Sequence, residues 1–210
     1  MSNLSRQDSL VQFPTPPTIH IIGCGGVGSW IALWLGKALP EAIFHLWDGD
    51  YVDGSNLHRT PYNVNHVGHP KTHALLALLM EAGRNNRPWT HGPWTEGLAQ
   101  LIEAGSIVVA AIDSMAVRRT IYAHAQKVGA TYWDVGAEES GCNVSDSPAD
   151  FDIAGADAQR GYFTPVFIGP VAVAAAVCTW AILRGLDVRD FRMEDRDGQF
   201  RGGFNEQTKA

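Results

Sequence analysis

Cysteine is scarce in this sequence and shows no pairing pattern. Cys24, Cys142 and Cys178 are the only three, and no Cys-x-x-Cys occurs. That excludes a disulfide framework and a cysteine-built zinc site, and it points to a reducing, cytoplasmic location. Residues 1–8, Met-Ser-Asn-Leu-Ser-Arg-Gln-Asp, contain no apolar core, so no export signal is expected. Positive charge is also in short supply. The 16 Lys and Arg are outnumbered by 22 Asp and Glu, for a formal net charge of −6, and they are scattered along the chain. A nucleic-acid backbone partner is therefore not expected. Long hydrophobic runs are absent as well. Val166 to Leu183 is uncharged, but Gly169 and Pro170 interrupt it. A helix opening at Pro170 would reach Leu183 after about 21 Å, against a bilayer core of about 30 Å, so a buried helix is expected and not a membrane span.

What is present is an alternation of short apolar runs with helical periods. Strands are expected at Thr18–Ile22, Ile43–Trp47, Ile107–Ile112 and Thr131–Val135, each short and rich in branched residues. Between them, Val27–Leu39, a stretch opened by Pro70, and Met115–Val128 carry apolar residues at helical spacing. Arg87–Gly105 reads as a weaker unit broken by Pro88, Gly92 and Pro93, and Gly136–Thr164 as a long polar crossing without strands. Phe191–Phe204 carries Asp197-Gly198 at its centre, a tight-hairpin signal. The order predicts an α/β fold: a Rossmann-like, doubly wound, mostly parallel sheet with a C-terminal hairpin, whose ligands bind at the C-terminal strand ends. Residues 1–17 read as an N-terminal arm and 18–210 as a single nucleotide-binding domain.

The chemistry starts at the first strand-to-helix turn. Gly23-Cys24-Gly25-Gly26-Val27-Gly28-Ser29 follows the first strand, and Asp48, twenty residues after Gly28, ends the second. Glycines let the backbone turn sharply and approach phosphates, the helix N-terminus supplies N–H donors, and the acid suits a ribose hydroxyl. This much fits a dinucleotide oxidoreductase as well as an ATP user. The next loop separates the two. Asp48-Gly49-Asp50 leads through Asn56, Arg59 and Gly68-His69-Pro70 to Lys71, which sends an amide and two cations toward the same pocket. Hydride transfer has no use for two cations, whereas a triphosphate must have its charge neutralised as it separates. Asp113, ending a third strand, suits magnesium, which is commonly held by one or two carboxylates plus phosphate oxygens.

At these positions the sequence resembles the ThiF, MoeB and ubiquitin-activating superfamily of adenylating enzymes. The matches are Gly23 to Ser29 for the glycine loop, Asp48 and Asp50 for Asp-x-Asp, and Asn56-Leu57-His58-Arg59 for Asn-Leu-x-Arg. Val67-Gly68-His69-Pro70-Lys71 matches Val-Gly-x-x-Lys, and Asp113 with Arg118 matches Asp-x-x-x-x-Arg. The resemblance implies binding of ATP and Mg²⁺ and adenylation of the C-terminal carboxylate of a small ubiquitin-like or sulfur-carrier protein, or of a peptide. It implies that Asp48 holds the ribose, that Asn56, Arg59 and Lys71 hold the phosphates, and that Asp113 positions magnesium. Arg6-Gln7 matches an N-terminal Arg-Gln, whose arginine reaches the partner subunit's ATP in a homodimer. An apolar helix after Pro170 and seven tryptophans, in a chain without zinc, also call for a covering surface.

The sequence departs from the pattern at Thr60, usually Gln, and at Ser114, usually Asn; neither change removes a charge. Both zinc-binding cysteine pairs are missing, and no obvious crossover-loop nucleophile is present. Cys142 is the candidate thioester or persulfide former, while Cys178 and Cys24 read as packing residues. His66, His69 and His73 are spaced by three and four but straddle Pro70, so they read as pocket-edge donors and not as a metal site. A nicotinamide-dependent oxidoreductase and a non-catalytic nucleotide-binding scaffold remain the alternatives.

Overall fold

The computed structural model describes residues 13, 15–83, 85–138, 141–148, 168–185, 191–196 and 199–204. In chain order the elements are β1 (Thr18–Ile22), α1 (Gly26–Ala38), β2 (Ile43–Trp47), α2 (Lys71–Glu81), β3 (Trp89–His91), β4 (Ile107–Ala110) and α3 (Met115–Val128). They continue with β5 (Thr131–Glu138), β6 (Gly141–Ser145), α4 (Ile168–Arg184), β7 (Phe191–Arg196) and β8 (Gln199–Phe204). The strands form one sheet in the order β3-β2-β1-β4-β5-β6-β7-β8. The first five pair in parallel and the last three add antiparallel. Strand order reverses between β1 and β4, the place where an open α/β sheet leaves a crevice for ligands.

Two layers of side chains hold the sheet between helices. Ile19 and Ile21 of β1 and Phe44 and Leu46 of β2 face Ile31 and Leu35 of α1, Leu75 and Leu79 of α2, and Ala174 and Cys178 of α4. Ile22, Trp47, Val108 and Ala110 face the other way, onto Ile121 and Ala125 of α3. Full burial of a large apolar side chain contributes about 2 kcal/mol, and these strands are buried on both faces, which is why they read as continuous apolar runs. Pro40 follows α1, and the Leu39 N–H closes onto the Leu35 carbonyl. Gly129, at φ 76°, ends α3 in a left-handed turn.

The crossing expected over Gly136–Thr164 is corrected at its start. β5 runs on through Gly136 to Glu138 and turns back into β6. The sequence predicts a strand ending at Val135, but Gly136 continues it and is a close approach. It pairs with Asn143, whose Oδ1 would lie 2.6 Å from a Cβ at position 136. The weak unit Arg87–Gly105 resolves into the short edge strand β3 and a 3₁₀ helix, Glu96–Leu101. The C-terminal hairpin forms as β7 and β8; its turn residues 197 and 198 lie outside the described residues. Among the described residues, no helix is long and apolar enough to cross a membrane.

Candidate functional site

The glycines of the first turn divide into two kinds. Gly23 sits at φ 97°, and a Cβ there would fall 2.2 Å from the Ala111 carbonyl oxygen; at Gly28 it would fall 1.9 Å from the Gly23 oxygen. These two let β1, α1 and the end of β4 meet. At Gly25 a Cβ would have no described atom within 4 Å. Its neighbour Gly26 is bordered by Arg59, whose Cδ would be 3.6 Å away, and by Val171 in the first turn of α4, 3.5 Å away. The opening at Gly25 and Gly26 therefore lies at the N-terminus of α1, beside the N-terminus of α4 and under the stem of an arginine. Partial positive charge from helix ends and a full charge converge on it.

Cys24 is pinned in place. Its N–H donates to Asp48 Oδ2 at 2.7 Å, its thiol to the Trp47 carbonyl, and its carbonyl accepts from the Tyr62 hydroxyl at 2.7 Å. Burial and the Asp48 charge hold the thiol well above its ordinary range, so it packs and does not react. Asp48 also accepts from the Asp50 N–H at 2.8 Å, and both its oxygens keep lone pairs for a ribose. Burial raises its carboxyl, while the Lys71 charge and the two N–H donors pull the other way. The Ser29 hydroxyl is fully buried and donates to the Gly25 carbonyl at 2.5 Å, so it braces the loop from within.

The polar loop after β2 is two capped 3₁₀ turns, opened by Asp53 and Asn63. Asn56 accepts the Asp53 N–H through Oδ1 at 3.2 Å, which closes the first cap. Arg59 Nη1 donates to the Ser55 carbonyl at 2.9 Å, and its own carbonyl accepts from Trp30 Nε1 of α1 at 3.1 Å. Lys71 opens α2, and its ammonium meets Asp50 at 2.8 Å, with the lysine mostly buried and the aspartate exposed. Thr60, where the resembled family has Gln, is buried and donates to the Asn56 carbonyl. Arg59, Lys71, Asp48 and the glycine loop are thus brought together.

Asp113 is exposed just past the end of β4. Arg118 fixes the segment that carries it. The arginine donates to the Ile112 carbonyl at 2.6 Å and pairs with the buried Asp134, which also takes the Tyr132 hydroxyl at 2.8 Å and the Asn143 amide at 3.3 Å. Because Gly23 packs on Ala111 and Ile112, this end of β4 lies against the glycine loop. Arg6 lies outside the described residues. Cys142 is buried on β6, and burial pushes its thiol up to about 12, which leaves no thiolate at neutral pH; Cys178 is buried in α4 and also raised. His66 Nδ1 accepts the Asn63 N–H, His69 and His73 are exposed, and no group of three metal-ligating side chains occurs among the described residues. The sequence reading missed Tyr62. Its position two residues beyond Thr60 carries no motif signal, and only the fold brings it to Cys24.

Comparison with known proteins bears on the family and the fold. Among curated proteins, none matches. Among solved structures, E. coli MccB with AMPCPP and MccA superposes with a TM-score of 0.73 at 17% identity, covering 94% of this chain and 65% of that one. PaaA superposes with a TM-score of 0.67 at 20% identity, again covering 94% of this chain and 65% of that one. The chain thus spans about two thirds of the length of these structures, and at such identity the likeness shows the fold alone. A sequence model of the ThiF family matches residues 15–149, well over half of the chain, from the approach to β1 through the glycine loop, both cations and Asp113 to the end of β6. On that match the chain belongs to the ThiF family.

Proposed function

We propose that this chain is an ATP- and Mg²⁺-dependent adenylyltransferase that activates the C-terminal carboxylate of a peptide or of a small ubiquitin-like or sulfur-carrier protein. The observation that carries the reading is the opening at Gly25 and Gly26, flanked by Arg59 and approached by Lys71, with a ribose acceptor, Asp48, at the same turn. A methyl group on Gly25 would meet no described atom within 4 Å, which leaves room for phosphate oxygens. The pocket offers two cations, two helix ends and one carboxylate for the sugar, a set matched to a nucleoside triphosphate.

Asp48 receives the ribose through its free lone pairs. The glycine-loop N–H groups and Arg59 hold the phosphates, and Lys71 exchanges Asp50 for phosphate oxygen. Asn56 contributes through the cap that fixes the Arg59 turn. The acceptor carboxylate oxygen attacks the α-phosphorus, the bond to the bridging oxygen of the pyrophosphate breaks, and the negative charge that moves onto the leaving group is met by Arg59 and Lys71. Asp113 would hold magnesium, which supplies charge neutralisation on the phosphate oxygens when bound. A peptide acceptor is supported by MccB, which was solved together with MccA. Pairing of two chains is supported by α4, whose outward Ala172, Ala176 and Trp180 are exposed, the tryptophan by 53%. In such a homodimer Arg6 reaches the partner's triphosphate, and sedimentation as a monomer would contradict it.

Titration calorimetry tests the pocket. ATP with Mg²⁺ binds and NAD does not; a chain that binds NAD more tightly than ATP is an oxidoreductase and overturns the reading.

A further inference from the structure

Tyr62 is buried in the core under the glycine loop, 4% exposed, and its one hydroxyl proton faces two carbonyls. The Cys24 oxygen is 2.7 Å away and the Lys71 oxygen 3.3 Å away. The first is a full hydrogen bond; the second is the longer branch of a shared one. The same hydroxyl therefore ties the loop expected to wrap the phosphates to the first residue of α2, which carries the lysine. Burial, with the Cys24 and Asp48 groups nearby, holds the phenol well above its ordinary range, so it stays a donor at any working pH.

The consequence follows from peptide geometry. A trans peptide is planar, with its C=O and N–H pointing to opposite sides. Tyr62 draws the Cys24 carbonyl inward, and the Gly25 N–H of that same peptide is turned outward, at the residue whose Cβ position is open. On the other side of Cys24, Asp48 fixes the preceding peptide through the Cys24 N–H. With both flanking peptides held, the Gly25 donor is aimed before any ligand arrives, which is the condition under which a hydrogen bond to an anion is strongest.

We infer that Tyr62 is a positioning residue that aims the Gly25 N–H at a nucleotide phosphate and couples that aim to the placement of Lys71. The inference rests on the nucleotide reading above. It touches no reacting atom and acts through the backbone.

The test compares ATP with adenosine by calorimetry on the full chain and on Tyr62→Phe, which keeps the buried ring and removes the hydroxyl alone. Affinity for ATP with Mg²⁺ should fall about tenfold, the effect of losing one well-aimed donor, while affinity for adenosine stays at the wild-type value. Unchanged adenosine binding also reports that the variant is folded. Equal affinity for ATP in both proteins overturns the inference alone, as does an equal loss for ATP and adenosine, which marks Tyr62 as merely structural. A wild-type chain that binds adenosine or NAD but not ATP overturns the triphosphate reading and this inference with it.

Discussion

The glycines of the first turn share a motif but not a reason. Gly28 is required by the fold, because a Cβ would meet the Gly23 carbonyl at 1.9 Å, a contact no rotamer can relieve. Gly25, in an extended conformation at φ −79° with no described atom near its Cβ position, is not required by packing, and on the proposed function it is the ligand that needs the glycine. Gly28→Ala should therefore lower stability by about 3 kcal/mol or prevent folding, as overpacking against backbone does. Gly25→Ala should melt near the wild-type temperature and lose ATP affinity, because the added methyl occupies the opening. Thermal melts of the two variants with and without ATP check this, and a Gly25→Ala chain stabilised by ATP as strongly as the wild type would contradict it. Sequence alone separates none of these glycines. The motif spacing predicts a phosphate loop, whereas which glycine serves packing depends on Ala111, 88 residues after Gly23 in the chain.

Three adjacent strands carry a second set of polar groups on the face away from α1. His20 of β1 is fully buried, stacks on His45 of β2 at 4.6 Å between ring centres, and accepts from Trp47 Nε1 through Nδ1 at 3.3 Å. His45 pairs with His91 of the edge strand β3 at 3.0 Å, and His91 stacks on Trp47 at 4.0 Å. Trp47 directly precedes Asp48, and its carbonyl accepts the Gly23 N–H, so this stack underlies the candidate site. Burial, with the neighbouring imidazoles adding to it, lowers His20 to about 3 and His45 to about 4, and burial lowers His91 as well. An unfolded histidine titrates near 6.5. These folded values are depressed, so the unfolded chain takes up protons that the folded chain refuses. The stability from neutral histidines is present above about pH 6.5 and is lost as pH falls toward 4. For His20 alone the loss by pH 4 is about 3 kcal/mol. Denaturant midpoints measured from pH 7 to 4.5 should fall steeply for the wild type and less steeply for His20→Phe; parallel profiles would contradict this. The stack was invisible in the sequence because its histidines are spread over β1, β2 and β3, and only the strand register brings them together.

Across the whole molecule, legibility followed the apolar pattern. Of the five parallel strands, β1, β2, β4 and β5 could be read because each carries a short apolar run and the helices have their own period and stop, whereas β3 is three residues, Trp89–His91, in a unit broken by prolines and glycine. The site could be read in outline because its motifs fall at the ends of β1, β2 and β4, on one rim of the sheet. What escaped was the contact of Tyr62 with Cys24, 38 residues apart, and the local strand pair β5–β6, whose Gly136, Glu138, Gly141 and Asn143 break any apolar run and where Gly136 makes room for Asn143. The antiparallel extension through β6 to β8 widens the sheet on the side of β5, away from the edge strand β3. It places the buried Asp134 between Arg118 and Asn143, which steadies the strand end carrying Asp113.

The central claim is that two cations and a glycine loop neutralise a triphosphate while a carboxylate displaces pyrophosphate. The most direct measurement is pyrophosphate release from ATP with Mg²⁺ and short peptides bearing a free C-terminal carboxylate, for the wild type, Arg59→Ala and Lys71→Ala. The account predicts that each variant folds and releases pyrophosphate at least about a hundredfold more slowly, equivalent to losing a preorganised charge worth roughly 3 kcal/mol. Release by both variants at the wild-type rate would contradict it.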